Sequence, residues 1–270
     1  MRYVQRARRT LGPGRALTIL EYHSIDPVPS RFAITPDTFE RQLDLVQSRY
    51  EIVRLRDVPA LLRAGDARRR VVLTFDDAYV DFARHALPRL AARSIPATVF
   101  VPTAYIGGVN AWDQHLDDSN LRPIMTAQEL RAIQATGLVD VGSHTIDHVR
   151  MSQLEEGEMR RQAQGSRATL EHLLQVPVRS FAYPYGMLDD CSPAAERVLA
   201  EAGYDVAVIS HWGTVNSAAN LLSLRRITLT ERDDDETITA KIEGAYDWIA
   251  IKERVATVLR SARRLTGGFR

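Results

Sequence analysis

Short apolar runs alternate with amphipathic helical patterns along almost the whole chain. Each apolar run has four to eight residues, and several are almost continuously apolar. Runs of this kind are typical of strands that are buried on both faces of a parallel sheet. The pattern predicts seven strands, at Leu17–His23, Val71–Phe75, Ala97–Val101, Val139–Gly142, Ser180–Tyr183, Tyr204–Ile209 and Leu222–Leu229.

Amphipathic helical patterns separate these strands. Thr126 and Glu129 have the spacing of a capping box, and Gly137 and Gly203 stand where helices are expected to stop. Strands that alternate with helices favour a closed or nearly closed β/α barrel, with an open doubly wound sheet as the alternative. The predicted helices are Thr38–Arg49, Tyr79–Arg93, Ala127–Thr136, Glu155–Gln175 and Pro193–Ala202.

A longer helical pattern runs from about Glu236 to Leu265, and its last part is rich in arginine. It predicts a final helix that packs across the barrel; a helix lying in a membrane surface is the alternative. No internal repeat or linker divides the chain. We therefore expect one domain over residues 15–250, between a basic N-terminal tail, residues 1–14, and a basic C-terminal helix end and tail, residues 251–270.

The charges of the 270 residues nearly cancel, since the formal net charge is +1. This balance gives no reason to expect a nucleic-acid partner, although arginines at both ends leave a peripheral membrane contact open. One cysteine, Cys191, excludes an intramolecular disulfide. No apolar run suits a signal peptide or a bilayer span, so we expect a cytoplasmic or membrane-associated protein. A periplasmic or extracellular location is the alternative if a leader has been removed.

Polar residues with catalytic potential follow four of the predicted strands. In a β/α barrel, the C-terminal ends of the strands surround one mouth, so these residues are expected to meet there. Two adjacent carboxylates at such a place repel each other and lose water, and a nearby positive charge must compensate. The residues are His23 at the end of the first strand, Asp76 and Asp77 after the second, His144 and His148 after the fourth, and Tyr183–Gly186 at the end of the fifth.

His144 and His148 have the spacing of a metal site. Four residues apart, their imidazoles lie on one face of a helical turn, although this spacing alone is common on helix surfaces. With one carboxylate of the aspartate pair they form a three-ligand site for a divalent metal, with a position left for water. The cation would also offset the repulsion between Asp76 and Asp77.

Three segments, TFDDAY, GSHTIDH and RSFAYPYG, resemble the leading motifs of the polysaccharide deacetylase family, also called the NodB-homology or carbohydrate esterase family 4 domain. The flanking segments LTILEYHSI, PATVFVPT and LLSLRRITLT are similar to the same family, so the resemblance covers about Leu17 to Gly244. It implies a distorted (β/α)7 barrel of the NodB-homology type. It also implies a metal-dependent enzyme that removes N-acetyl groups from aminosugars, often in polymers. Zinc is the first choice of metal, with cobalt, manganese or nickel as alternatives.

The resemblance also implies a role for each motif residue. Asp76 would be the general base that takes a proton from the activated water. The backbone N–H of Tyr185 would bind the oxyanion, and Gly186 would permit the tight turn after it. The implied metal ligands are Asp77, His144 and His148.

The motifs leave two candidates for the general acid, His23 and His211. Many family members carry it as the histidine of a C-terminal Leu-x-His motif, but the region from Leu221 to Glu231 contains no histidine. The segment EYHSI resembles a rearranged exopolysaccharide-deacetylase subgroup whose corresponding strand comes first, which implies His23 as the acid. His211 is the competing candidate, and the alternative for His23 is a buried core histidine.

Two positions depart from the family pattern. Ala78 stands where many members have glycine after the aspartate pair. An arginine that pairs with the base often lies close before the tyrosine of the third motif, but here Arg179 lies six residues before Tyr185. The partner of Asp76 is therefore left open.

Trp112, Pro184 and Gly186 are the candidate substrate-binding residues. The indole of Trp112 could stack on a sugar, or it could anchor its loop to the barrel. Its neighbours Asp113 and His115 are expected to be solvated loop residues.

The expected function is the removal of acetyl groups from N-acetylglucosamine-type residues of an exopolysaccharide or its precursor. An N-acetylated polysaccharide or oligosaccharide is the expected partner. The alternatives are a hydrolase of another small amide on the same fold and a catalytically silent glycan-binding protein. The presence of the base Asp76 argues against the silent protein.

Overall fold

Parallel strands form a barrel in the part of the chain that the computed structural model describes, residues 17–30, 32–65, 68–112 and 121–249. All seven predicted strands are present, with ends that differ from the prediction by no more than three residues. The strands in the described ranges are β1 (Leu17–Tyr22), β2 (Ser24–Ile25), β3 (Ala33–Ile34), β4 (Glu51–Ile52), β5 (Arg70–Phe75), β6 (Ala97–Val101), β7 (Val139–Ser143), β8 (Ser180–Ala182), β9 (Val206–Trp212) and β10 (Leu224–Thr228).

The seven long strands close on themselves. They pair in the order β1, β10, β9, β8, β7, β6 and β5, and the pairing of β5 with β1 completes the ring. The predicted (β/α)7 barrel is therefore confirmed, and the open doubly wound sheet is excluded. The short strand β4 pairs with the start of β5, whereas β6 pairs with the end of β5. Strands β2, β3 and β4 have two residues each, which is too short for a periodic pattern to predict them.

Apolar side chains fill the barrel below its mouth. A buried cluster joins Leu17 and Ile19 of β1 to residues of β5, β6, β8, β9 and β10, together with Leu55 and Val58 at one end. Strand β7 contributes Gly142, where a side chain would collide with the ring of Phe100 at 2.6 Å. The seven long strands are largely buried, and the predicted site residues follow their C-terminal ends.

The helices follow the predicted positions closely. Thr126 and Glu129 form the expected capping box, and Gly137 and Gly203 adopt the left-handed conformation that ends a helix. The helix after β5 begins as a π-helical segment, Phe82–Ala86, and Pro88 lies in the first turn of the α-helix that continues it. The helices are α1 (Pro36–Arg49), α2 (Val58–Ala64), α3 (Leu87–Ala92), α4 (Ala127–Ala135), α5 (Glu156–Leu174), α6 (Pro193–Glu201) and α7 (Asp235–Ile242).

The prediction of one continuous final helix from Glu236 is wrong in the described residues. Helix α7 ends at Ile242, and Gly244 follows with φ +80°. The carboxylate of Asp247 accepts hydrogen bonds from the backbone and the hydroxyl of Thr214, which ties the next turn to another loop. Residues 1–16 and 250–270, which include both predicted basic tails, lie outside the described residues. Within the described ranges, no helix combines the length and apolar character needed to cross a bilayer.

Candidate active site and metal centre

The mouth of the barrel gathers the predicted catalytic residues from the ends of β1, β5, β7 and β8. The backbone there is unusual, because five non-glycine residues of these motifs have positive φ angles: Asp77 (69°), Ala78 (54°), Thr145 (65°), His148 (52°) and Tyr185 (62°). A side chain in this conformation costs of the order of 1–2 kcal/mol. Such strain is typical of functional sites, where the surrounding structure holds residues in a required orientation.

Asp77, His144 and His148 form one compact group, which we call the histidine cluster. Nε2 of His148 lies 3.3 Å from Oδ1 of Asp77, and Nε2 of His144 lies 3.6 Å from the same oxygen. All three residues are buried. Ligands of a tetrahedral ion at 2.0–2.2 Å are separated by about 3.3–3.6 Å, so the spacing suits one shared cation.

The orientation of His144 fits a metal ligand. Its Nδ1 lies 2.8 Å from the carbonyl oxygen of Ala182, which accepts the ring N–H and leaves Nε2 with its lone pair facing Asp77. Burial lowers the pKa of His144 to about 4, so the ring is neutral near pH 7. A neutral imidazole is the form that binds a metal.

The histidine cluster also contains buried polar atoms that the protein leaves unsatisfied. Among the described residues, Oδ1 of Asp77 and Nδ1 of His148 have no hydrogen-bond partner. Burial by itself raises the pKa of Asp77, but the imidazole of His148 holds it below its ordinary value. A carboxylate that stays ionised without a donor for one oxygen fits a divalent cation, and two nitrogens with one oxygen suit zinc, cobalt, manganese or nickel.

Asp76 belongs to a second group beside the histidine cluster. The guanidinium of Arg226, on β10, binds it in bidentate fashion, with Nη1 to Oδ1 and Nη2 to Oδ2 both at 2.7 Å. Nη2 of Arg226 also lies 2.8 Å from Oε1 of Glu21. Glu21 in turn accepts hydrogen bonds from the hydroxyls of Ser210 and Thr228. We call these five residues the arginine network.

The arginine network sets the charge of Asp76. Burial by itself raises the pKa of this carboxyl group, but the bidentate Arg226 holds it below the ordinary value. Asp76 is therefore ionised near pH 7, as a general base must be. The three charged residues of the network are buried, since Arg226 is 1% exposed, Glu21 is 2% exposed and Asp76 is 3% exposed.

Arg226 is the partner of Asp76, which the sequence left open. Arg179 lies at the surface, 3.4 Å from Asp205, and does not brace Asp76. One sequence signal could have identified Arg226 and Glu21, which were not predicted. Both are charged residues within otherwise apolar strand segments, LSLRRITL and LTILEYH. Charged residues are almost never fully buried unless they are paired.

His23 follows β1 at the same mouth. One ring nitrogen of His23, one oxygen of Asp76 and one oxygen of Glu21 all lie within 4.8 Å of one another. Its ring is partly exposed and lies 5.4 Å from the ring of Phe32. His23 is thus not a fully buried core histidine. His211, at the end of β9, is 2% exposed and belongs to neither group of clustered titratable side chains among the described residues.

Tyr185 and Gly186 form a turn that can exist only with glycine at its second position. Gly186 has φ +53°, and a Cβ there would lie 2.3 Å from the backbone nitrogen of Ser210. The ring of Tyr185 packs 5.0 Å from that of His148, and the guanidinium of Arg150 lies 4.1 Å above it. The same Arg150 is paired with the fully buried Asp190 at 3.0 Å.

The remaining predicted residues, Trp112 and Pro184, differ in their exposure to solvent. Trp112 stacks on His148 with ring centroids 4.2 Å apart, and it also contacts Tyr105. It therefore supports a ligand of the histidine cluster and is partly exposed at the mouth. Pro184 is buried, and its predicted role in substrate binding stays a prediction. Asp113 and His115 lie outside the described residues.

The chain is similar to known polysaccharide deacetylases. Residues 63–207 match the family model of polysaccharide deacetylases. YxkH of Bacillus subtilis, a protein named after the same family, is 24% identical over 232 residues, which cover 84% of this chain and 76% of that protein. Residues 63–207, which match the family model, include β5 through β8 and therefore the histidine cluster and Tyr185.

Two further relatives carry more specific names. The poly-β-1,6-N-acetyl-D-glucosamine N-deacetylase of Staphylococcus aureus is 24% identical over 169 residues, or 59% of this chain and 56% of that enzyme. The structure of IcaB from Ammonifex degensii superposes with a TM-score of 0.71 and 26% identity over 85% of this chain and 98% of that one. The chain thus spans little more than half of the staphylococcal enzyme but nearly all of the IcaB structure.

Proposed function

This chain belongs to the polysaccharide deacetylase family, and we propose that it hydrolyses the acetamide of N-acetylglucosamine residues in an exopolysaccharide or its precursor. One observation carries the proposal: a braced, ionised Asp76 lies directly beside a histidine cluster that is suited to a divalent metal. The names of the staphylococcal relative and of IcaB support poly-N-acetylglucosamine as the substrate class.

In this proposal each residue at the mouth has one task. Asp77, His144 and His148 hold the divalent metal, for which zinc is the first choice. When bound, such a cation activates water and polarises a carbonyl group. Asp76 accepts a proton from the attacking water, because Arg226 keeps its carboxylate ionised and fixed in direction.

The other two tasks concern the negative charge and the leaving group. The left-handed turn at Tyr185 directs its backbone N–H, which donates to the oxyanion that develops on the acetamide. His23 donates a proton to the departing amine from the side of the mouth occupied by Asp76. Trp112 supports His148 and offers an aromatic wall for a sugar ring.

The direct test is acetate release from N-acetylglucosamine oligomers with β-1,6 and β-1,4 linkages. We expect release with the β-1,6 oligomer, loss of release after chelation, and recovery when zinc is added. Asp76→Asn should release at least about 100-fold less acetate per unit time. Full activity after chelation and in Asp76→Asn would contradict the proposal, and the opening of a cyclic amide without acetate release would favour a small-amide hydrolase.

A further inference from the structure

A third carboxylate, Asp81, lies two residues after the TFDDAY motif. Asp81 directly precedes the π-helical segment Phe82–Ala86, and its side chain accepts no hydrogen bond from a backbone N–H of that segment. Its carboxylate is 12% exposed and is directed elsewhere.

The carboxylate of Asp81 binds the residues that follow His23. The hydroxyl of Ser24 donates to Oδ2 at 2.5 Å, and the backbone N–H of Ile25 donates to Oδ1 at 3.1 Å. Both carboxylate oxygens are thus used to hold β2, a strand of two residues that pairs with β3 alone among the residues the structure describes. Hydrogen bonds to an ionised acceptor are about twice as strong as neutral ones.

Arg122 completes this contact from a third segment of the chain. Its Nη1 donates to the hydroxyl of Ser24 at 2.9 Å and to Asp26 at 3.1 Å, and it lies 3.7 Å from Asp81. The hydroxyl of Ser24 therefore accepts from a cation and donates to an anion. A hydroxyl that donates to one charged group and accepts from another is restrained to one orientation, so these contacts hold the Ser24 side chain in place.

His23 is consequently held on both sides by one short segment, Asp76 to Asp81. On one side, the backbone N–H of Asp76 donates to the carbonyl oxygen of Tyr22 at 3.0 Å. On the other side, Asp81 holds Ser24 and Ile25. The segment that carries the base and a metal ligand therefore also sets the distance between His23 and the Asp76 carboxylate.

We propose that Asp81, acting through Ser24, is a positioning residue that holds His23 in place to protonate the leaving amine. The inference rests on the proposed function, because it assigns a partner to the acid of that reaction. Asp81 does not touch the histidine cluster through any of these contacts. Its removal should therefore impair proton donation without removing the metal.

The test is a double-mutant cycle between Asp81→Asn and His23→Ala, with acetate release as the readout. Asp81→Asn should lower kcat about 10- to 100-fold and leave KM within about two-fold, because a misplaced group costs rate without weakening substrate binding. In the His23→Ala background the same change should cost less than about two-fold, since the group it positions is gone. Zinc content should equal that of the wild type.

Ser24→Ala is the second variant, because it removes only one hydroxyl and preserves the fold if Asp81→Asn does not. Asp140→Asn is the matched control: it alters a partly buried carboxylate that pairs with Arg56 at the opposite end of the barrel, and kcat should stay unchanged. Equal losses of kcat in both backgrounds, or full kcat in folded Asp81→Asn and Ser24→Ala, would overturn the proposal.

A crystal structure of Ser24→Ala separates this inference from the proposed function. We expect the His23 ring to move by about 1 Å or more relative to the Asp76 carboxylate, a displacement large enough to affect catalysis. An unmoved ring would overturn the positioning role even if the enzyme is active. A wild-type protein that releases no acetate would contradict the proposed function, whereas a moved ring would still support the positioning of His23 by Asp81 through Ser24.

Discussion

The arginine network and the histidine cluster share two consecutive residues, Asp76 and Asp77, yet they are built in opposite ways. In the network, both oxygens of Asp76 receive N–H donors from Arg226, and both oxygens of Glu21 receive hydroxyl or guanidinium donors. In the cluster, Oδ1 of Asp77 faces two imidazole nitrogens and, among the described residues, accepts no hydrogen bond.

This difference separates two uses of a buried carboxylate. A carboxylate saturated by protein donors has one fixed direction and one charge state, as a base requires. A carboxylate that the protein leaves open in a buried place costs free energy until a ligand satisfies it. The network is therefore complete in the folded chain, whereas the cluster has an open carboxylate oxygen in a geometry that suits a cation.

The largest expected effect comes from exchanging each carboxylate for an amide. Asp76→Asn should lower kcat by about 10²–10⁴ while the protein keeps its zinc, because the base is lost and the ligands remain. Asp77→Asn should lose zinc as well as activity. Metal analysis of the two purified variants, together with acetate release, checks this pair. Loss of zinc in Asp76→Asn alone would show that the two roles are reversed.

The next largest effect is expected when the arginine network loses the guanidinium of Arg226. Arg226→Met leaves two buried carboxylates without their shared partner and should destabilise the fold by about 3–5 kcal/mol. Arg179→Met, which removes an exposed ion pair with Asp205, should change stability by less than about 1 kcal/mol. Urea unfolding of both variants measures the difference. Similar values for the two arginines would show that Arg226 is not structurally required.

Added zinc should raise the free energy of unfolding of the wild type much more than that of a variant that lacks one residue of the histidine cluster. At a zinc concentration about 100 times Kd, the wild type should gain about 2.7 kcal/mol in its free energy of unfolding. His148→Ala, measured under the same conditions, should gain much less. Unfolding curves recorded with zinc and with a chelator give both values. An identical gain in the variant would place the zinc at another site.

The smallest effect compares two hydroxyls. Thr228→Val removes a hydrogen bond to the charged Glu21 and should cost about 1.5–3 kcal/mol. Thr145→Val removes a buried hydroxyl that has no partner among the described residues, so it should be neutral or slightly stabilising. Thermal unfolding distinguishes the two. A larger loss for Thr145→Val would mean that its hydroxyl has a function that the contacts do not show.

Much of the site could be predicted from the chain because its residues come from short, contiguous motifs. Asp77, His144 and His148 were predicted as one metal site, and the structure brings their ligand atoms within 4.8 Å of one another. The requirement for glycine at position 186 was also predictable, since a tight turn follows Tyr185. Their assigned roles in the reaction remain predictions until the variants are measured.

The partners of these residues were harder to predict. Arg226 lies 150 residues after Asp76, and Ser24 lies 57 residues before Asp81. Nothing in a local pattern states which buried arginine meets which carboxylate, because the answer depends on how the barrel closes. The end of helix α7 at Ile242 was missed for a related reason, since Asp247 is held by the distant Thr214.

The alternation of strands and helices, the family, and the acids and histidines at the strand ends could all be read from the chain alone. These features depend on local periodicity and on motif spacing, which folding does not alter. The bracing of Asp76 by Arg226, which Glu21 also contacts, and the open oxygen of Asp77 depend instead on the folded barrel. Closure of β1 against both β5 and β10 places these distant residues in one mouth, and that proximity gives two identical side chains different environments.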